Sequence, residues 1–178
     1  GVGVGNVPAI VDDSANLDEA SHKIMTSKTF DNATSCSSEN SIIVLDSIYD
    51  ALIKSLEKEG GSLLNSKEKA VLAKNMWSKE GVINRNIIAK KSNEIASFAG
   101  LNEKHMNSKF LMVEEENVGK DYPFSMEKLS PVLAVYRAKN FDHAVEIATT
   151  ILDNQGKGHS CSIHSENKDN ILRLGNEL

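Results

Sequence analysis

The sequence predicts one α/β domain over residues 1–178, with a mainly parallel sheet and helices on both of its faces. Two observations predict it. Short apolar runs alternate with amphipathic stretches almost from end to end, the order that feeds parallel strands through helical crossovers. Several of those runs, Ile42-Ile43-Val44-Leu45 among them, are apolar without interruption. That is how a strand covered on both faces reads. A length of 178 residues suits one domain or two small ones.

The elements follow in order. Pro8 to Val11 is a short apolar run stopped by Asp12-Asp13, a buried strand. Asn16 with Glu19 three residues on has the form of a capping box, and Leu17, Ala20 and Ile24 share a face, so the spacing predicts a helix over 17–28. Ile42 to Leu45 is the next strand. Ile48, Leu52 and Leu56 recur every fourth residue and Gly60-Gly61 ends that helix. Ser66 is placed to cap a further helix carrying Leu72 and Met76 on one stripe, with Gly81 as its exit. Ser92 to Ala99 is a short helix closed by Gly100. Phe110–Val113 and Val132–Tyr136 read as strands, Phe141–Leu152 as an amphipathic helix, Ser160–His164 as a last strand and Asn167–Leu174 as a last helix.

Composition excludes some functions. A formal net charge of −5 argues against binding nucleic acid through a basic face. No apolar stretch approaches the ~20 residues of a membrane helix. No basic residue precedes the apolar start, so no export signal is visible, and the two cysteines, Cys36 and Cys161, are expected as free thiols in a reducing, cytoplasmic setting. The chain opens on Gly1-Val2-Gly3-Val4-Gly5 rather than on Met, which reads as a piece of a longer protein.

Four places draw attention. Cys36 lies in T-F-D-N-A-T-S-C-S-S-E-N, a polar loop directly before an apolar run. Such a loop offers a thiol access and backbone donors, both of which a nucleophile needs, whereas a structural cysteine sits among apolar neighbours. On composition alone, a cysteine that simply lies in a loop is the better-supported reading. The glycines at 1, 3 and 5 imitate a dinucleotide loop, but Asn6 holds the sixth place and a strand follows instead of a helix. They instead predict a backbone that must pass close to something. Glu127, in E-K-L-S-P-V, precedes a core strand, where a carboxylate can receive ribose hydroxyls or stand in solvent. His159, Cys161 and His164 lack a metal-ligand spacing and a fourth ligand, so no metal is expected. His159 is a candidate polar partner for an active site.

Together these blocks resemble the catalytic domain of the aldehyde dehydrogenase superfamily, in its coenzyme A-acylating branch. G-V-G-N-V-P-A-I-V-D-D-S-A-N-L-D-E-A resembles the stretch that opens that domain. T-F-D-N-A-T-S-C-S-S-E-N resembles its nucleophile loop, E-K-L-S-P-V-L-A-V-Y its ribose-binding block, and G-K-G-H-S-C-S-I-H-S its late glycine–histidine block. The four blocks come in the family's order across nearly the whole chain. The resemblance implies the family's three-layer fold. It implies Cys36 as the nucleophile, in a loop with Asn32, Thr34 and Ser35 whose backbone N–H at Cys36 supplies half of an oxyanion hole. Glu127 and Leu129 would lie against the ribose of NAD or NADP, and coenzyme A would take the acyl group from Cys36.

Two departures qualify it. Hydrolytic members carry a glutamate base at a place that falls at or near Val2, and no Glu occurs in Gly1 to Ile10. A thiol acceptor does without that base, since its thiolate is populated near neutral pH. Leu129 stands where many relatives have Phe. The resemblance further implies a missing nicotinamide-binding domain, a homo-oligomeric parent and little turnover by this domain alone. The substrate would be a small aldehyde: acetaldehyde, a longer one, or a charged one such as sulfoacetaldehyde. A hydrolytic relative and a non-catalytic scaffold of the same fold are the rival readings.

Overall fold

The computed structural model describes residues 3–178, so Gly1 and Val2, and with them the start of the glycine segment and the place of the missing base, lie outside the described residues. Six strands form one sheet: β1 (Val7–Val11), β2 (Glu39–Leu45), β3 (Gly61–Leu63), β4 (Phe110–Glu114), β5 (Val132–Ala138) and β6 (Ser162–His164). Their order across the sheet is β3-β4-β5-β2-β1-β6, and every pairing among them is parallel. The helices are α1 (Leu17–Thr29), α2 (Tyr49–Lys58), α3 (Ser66–Met76), α4 (Ser92–Ala99), α5 (Phe141–Asn154) and α6 (Lys168–Glu177).

The route of the chain explains the layers. From β1 through β2 to β3 it moves one way across the sheet, and α1 and α2 cover one face. There Ala20, Ile24, Leu52 and Leu56 pack on Ala9, Val11, Ile42 and Val44. It then returns through β4 and β5 to β6, and the later helices cover the other face, with Leu72, Ile95, Ala148 and Leu174 against Ile10, Ile43 and Tyr136. Reversing direction while keeping right-handed crossovers puts the second set of helices on the opposite side. Alternate residues in the second half of β2 thus feed two cores, which is why Ile42 to Leu45 run apolar without interruption.

Some boundaries differ from the sequence reading. Gly61 does not merely end a helix; it opens β3. A Cβ there would sit 2.6 Å from the Phe110 ring, so only glycine lets this edge strand lie beside β4. The cap of α3 is Asn65 rather than Ser66, because Asn65 and Glu68 exchange side-chain and backbone hydrogen bonds in a reciprocal box. The helix stops at Met76; Trp77 and Ile83 then form an antiparallel bridge, and Gly81, at φ 77°, belongs to its turn. The last strand begins at Ser162, two residues later than the expected Ser160. No helix among the described residues is long and apolar enough to cross a membrane.

Candidate active site

The segments that enter β5, β2, β1 and β6 carry Glu127 and Leu129, Cys36 with its loop, Gly5, and His159. Those four strands are neighbours in the sheet, so the segments meet at its amino-terminal edge. Open α/β sheets more often place ligands beyond the carboxyl ends of their strands; here the chemistry-bearing side chains gather at the opposite end.

Cys36 is exposed, in a turn between α1 and β2. Three consecutive non-glycine residues before it, Asp31, Asn32 and Ala33, have φ of 47°, 51° and 60°. Left-handed backbone costs an L-residue roughly 1–2 kcal/mol, least for Asp and Asn, whose short side chains bond locally. The loop holds this shape by its own bonds. Thr34 donates through Oγ1 to the Asp31 carbonyl and carboxylate, both at 2.8 Å. Ser38 N donates to Ser35 O at 3.0 Å, and the hydroxyls of Ser35 and Ser37 lie 2.9 Å apart. Asn32 donates through Nδ2 to Ala89 O at 3.0 Å, and Ala89 N donates to Leu129 O at 3.0 Å. Two of the expected site residues, Asn32 and Leu129, are therefore joined through Ala89. Leu129 is itself left-handed, at φ 45°.

Glu127 reaches the thiol loop through one glycine. Gly5 N donates to Glu127 Oε1 at 3.1 Å, and Gly5 lies so close to Cys36 that a Cβ on it would fall 2.6 Å from the Cys36 carbonyl oxygen and 2.9 Å from its Cβ. This is the close passage the glycine segment predicted. The peptide N of Glu127 donates to Gln155 Oε1 at 2.7 Å, which anchors the carboxylate's own backbone.

His159 sits in the turn before β6, where Gly156 packs on Asn6, the residue after Gly5. Its Nδ1 pairs with Ser160 Oγ at 2.8 Å, and no hydrogen bond joins it to Cys36 or Glu127. It lines a groove with Leu152, Ile171 and Leu174 instead. Cys161, beside it, is half-buried, and burial pushes its thiol up to about 11. No group of three or more His, Cys, Asp or Glu side chains among the described residues is arranged to hold a metal ion.

Sequence reasoning missed two buried lysines. Lys28, in the last turn of α1, is fully buried and its amine has no hydrogen-bond partner among the described residues. Burial lowers it to about 7, against the opposing pull of Glu39. Lys128 is equally buried and held well below its ordinary value by burial and by Lys28; its Nζ donates to the carbonyls of Phe124 and Met126 at 2.6 and 2.9 Å. Helical spacing held one signal: Lys28 is four residues beyond Ile24, on the face turned to the sheet.

A thiol held in a strained polar loop beside a carboxylate, on this parallel three-layer fold, defines a class. The chain belongs to the aldehyde dehydrogenase family, whose model matches residues 3–103. It is 48% identical over 179 residues to the sulfoacetaldehyde dehydrogenase (acylating) of Cupriavidus necator, an alignment covering 100% of this chain and 36% of that enzyme. The solved acetylating aldehyde dehydrogenase of Geobacillus thermoglucosidasius matches it with a TM-score of 0.93 at 40% identity, over 98% of this chain and 38% of the other. A propionaldehyde dehydrogenase of Rhodopseudomonas palustris, solved with bound CoA and an acylated cysteine, matches with a TM-score of 0.88 at 25% identity, over 99% of this chain and 39% of that one. The chain thus spans between 36% and 39% of the length of each of these relatives.

Proposed function

We propose that this chain is the thiol-bearing domain of a nicotinamide-dependent, coenzyme A-acylating aldehyde dehydrogenase, with Cys36 as nucleophile and a small aldehyde as substrate. The observation that carries the reading is Gly5, which presses on Cys36 with one side of its backbone and binds Glu127 with its N–H. The acylating names of the relatives, and the acylated cysteine in one of them, support the choice of reaction. Their greater length supports a parent enzyme in which another stretch of chain supplies the nicotinamide domain.

In this reading the Cys36 thiolate attacks the aldehyde carbon and a C–S bond forms. Backbone N–H groups of the loop, Cys36 N foremost, meet the charge that develops on oxygen. A nicotinamide, its ribose held by Glu127, would supply the hydride acceptor; loss of hydride from the C–H bond of the adduct would leave an acyl thioester on Cys36. The thiol of coenzyme A then attacks that carbonyl, the bond to Cys36 breaks, and the thiolate is restored. Glu127 fits a ribose: Oε1 is occupied by Gly5 N, while Oε2 makes no hydrogen bond among the described residues and the side chain is half-exposed. Leu129 would pack beside it, and His159 would be a polar partner approaching from the turn before β6. Both cysteines are free thiols, in keeping with a reducing, cytoplasmic setting.

Incubation with acetyl-CoA, without nicotinamide, tests the reading, because acyl transfer from coenzyme A to the cysteine needs no hydride step. Mass spectrometry is expected to find the acetyl group on Cys36 and not on Cys161. Acetylation of neither, or of both alike, would overturn the assignment.

A further inference from the structure

We infer that Asn40 is a positioning residue that fixes the height of the Cys36 loop against Glu127, an inference that rests on the reading of Cys36 as an acyl carrier. The evidence begins with the ladder between β1 and β2. Val7 pairs with Glu39 but Pro8 pairs with Ser41, so one residue of β2, Asn40, is extra. The irregularity falls at Pro8, which has no N–H to give to a ladder. Bulges of this kind turn a side chain away from the alternation of its strand and recur next to active sites.

The side chain so turned is 4% exposed and uses both ends of its amide. Nδ2 donates to Gly5 O at 2.8 Å and to Ser38 O at 3.3 Å; Oδ1 accepts from Lys128 N at 2.9 Å. Each partner adjoins a functional group. Gly5 is the backbone against which Cys36 rests, Ser38 closes the thiol loop, and Lys128 is bonded directly to Glu127. With Gly5 N on Glu127 Oε1 the bonds form a closed circuit: Asn40 to Gly5, Gly5 to Glu127, and Lys128 back to Asn40. Three segments that are far apart in sequence are thereby braced through one amide. An acid in its place keeps the acceptor for Lys128 N but sets an oxygen against the carbonyls of Gly5 and Ser38.

The test compares the wild-type chain with Asn40→Asp and Asn40→Ala, following two modifications of Cys36 by mass spectrometry. Alkylation by iodoacetamide needs only an accessible thiolate. Acetylation by acetyl-CoA needs the loop's donors in register with an attacked carbonyl. In both variants acetylation is expected to slow about tenfold or more, while alkylation stays within about twofold, since misplacing a reacting group costs orders of magnitude in an oriented step. Cys161 reactivity and the thermal unfolding midpoint report on the fold. Variants acetylated at the wild-type rate, or slowed equally in both reactions, overturn the positioning role. Loss of cooperative unfolding in both variants overturns it too, by making Asn40 a determinant of the fold. A wild-type chain that is alkylated but never acetylated at Cys36 overturns the underlying reading instead.

Discussion

Gly5 and Cys36 are in backbone contact: a methyl group on Gly5 would lie 2.6 Å from the Cys36 carbonyl oxygen and 2.7 Å from its Cα. Those atoms belong to main chain, so no rotamer change relieves the overlap. The β1 entry and the thiol loop must separate, and the loop is already committed to left-handed backbone at Asp31, Asn32 and Ala33. Gly5→Ala is therefore expected to slow acetylation of Cys36 by acetyl-CoA about 100-fold, the scale of an ångström's misplacement. Overpacking should cost about 1–3 kcal/mol of stability as well. Acyl transfer at the wild-type rate in this variant would show that the contact does not set the thiol.

Glu127→Gln separates the two halves of the reaction. The amide oxygen can still accept from Gly5 N, so the thiol loop stays in place, while the charge offered to a ribose hydroxyl is gone. Charged hydrogen bonds exceed neutral ones by about 1–1.5 kcal/mol. In the parent enzyme the KM for the nicotinamide is expected to rise about tenfold. Acetylation of Cys36 from acetyl-CoA, measured without nicotinamide, should stay within about threefold of wild type. An unchanged nicotinamide KM in steady-state assays would remove Glu127 from the cofactor site.

The two thiols differ for a physical reason, and that difference can be titrated. Burial holds Cys161 up at about 11, so at pH 8 only about a thousandth of it is thiolate. Its alkylation rate should climb about tenfold per pH unit from 8 to 10, because the thiolate is the reactive form. Cys36, exposed in its loop, should be modified well before it at pH 8. Peptide mapping after timed iodoacetamide treatment follows both residues in one sample; a Cys161 as reactive as Cys36 at pH 8 would contradict the burial.

Legibility in the sequence tracked locality. Ile42 to Leu45 and the Ile48–Leu56 repeat announce their elements because periodicity and β-branching act within a few residues. β3 stays hidden: its three residues become a strand only by pairing with β4, far along the chain, and the glycine at their head leaves room for the Phe110 ring. The thiol loop was visible as a polar stretch around Cys36, and Glu127 as a carboxylate before a strand. Their connection was not, since it runs through the backbone of Gly5 and the amide of Asn40. Neither residue type signals such a role by itself. Asn65 and Ser66 are both good caps, and only the reciprocal bond with Glu68 decides between them.

Lys28 makes the stability of this fold depend on pH. Its folded-state value is about 7, against 10.5 for the free side chain. Between those limits the unfolded chain holds a proton that the folded chain does not, so stability rises with pH from about 7 towards 10 and is lowest below 7. The slope from one such group approaches about 1.4 kcal/mol per pH unit. Lys28→Met keeps the length of the side chain and removes the proton. Glu39 loses its opposite charge in this variant, which offsets part of the gain in stability. Lys128 loses a repelling neighbour, and the charge it then holds more easily is balanced by Glu115 and Glu127. Urea unfolding at pH 7, 8 and 9 is therefore expected to show a steeper rise in stability for wild type than for Lys28→Met. The variant should gain most on wild type at pH 7 and least at pH 9. Parallel slopes would mean that the amine of Lys28 keeps its proton in the folded protein, with Glu39 as its counter-charge.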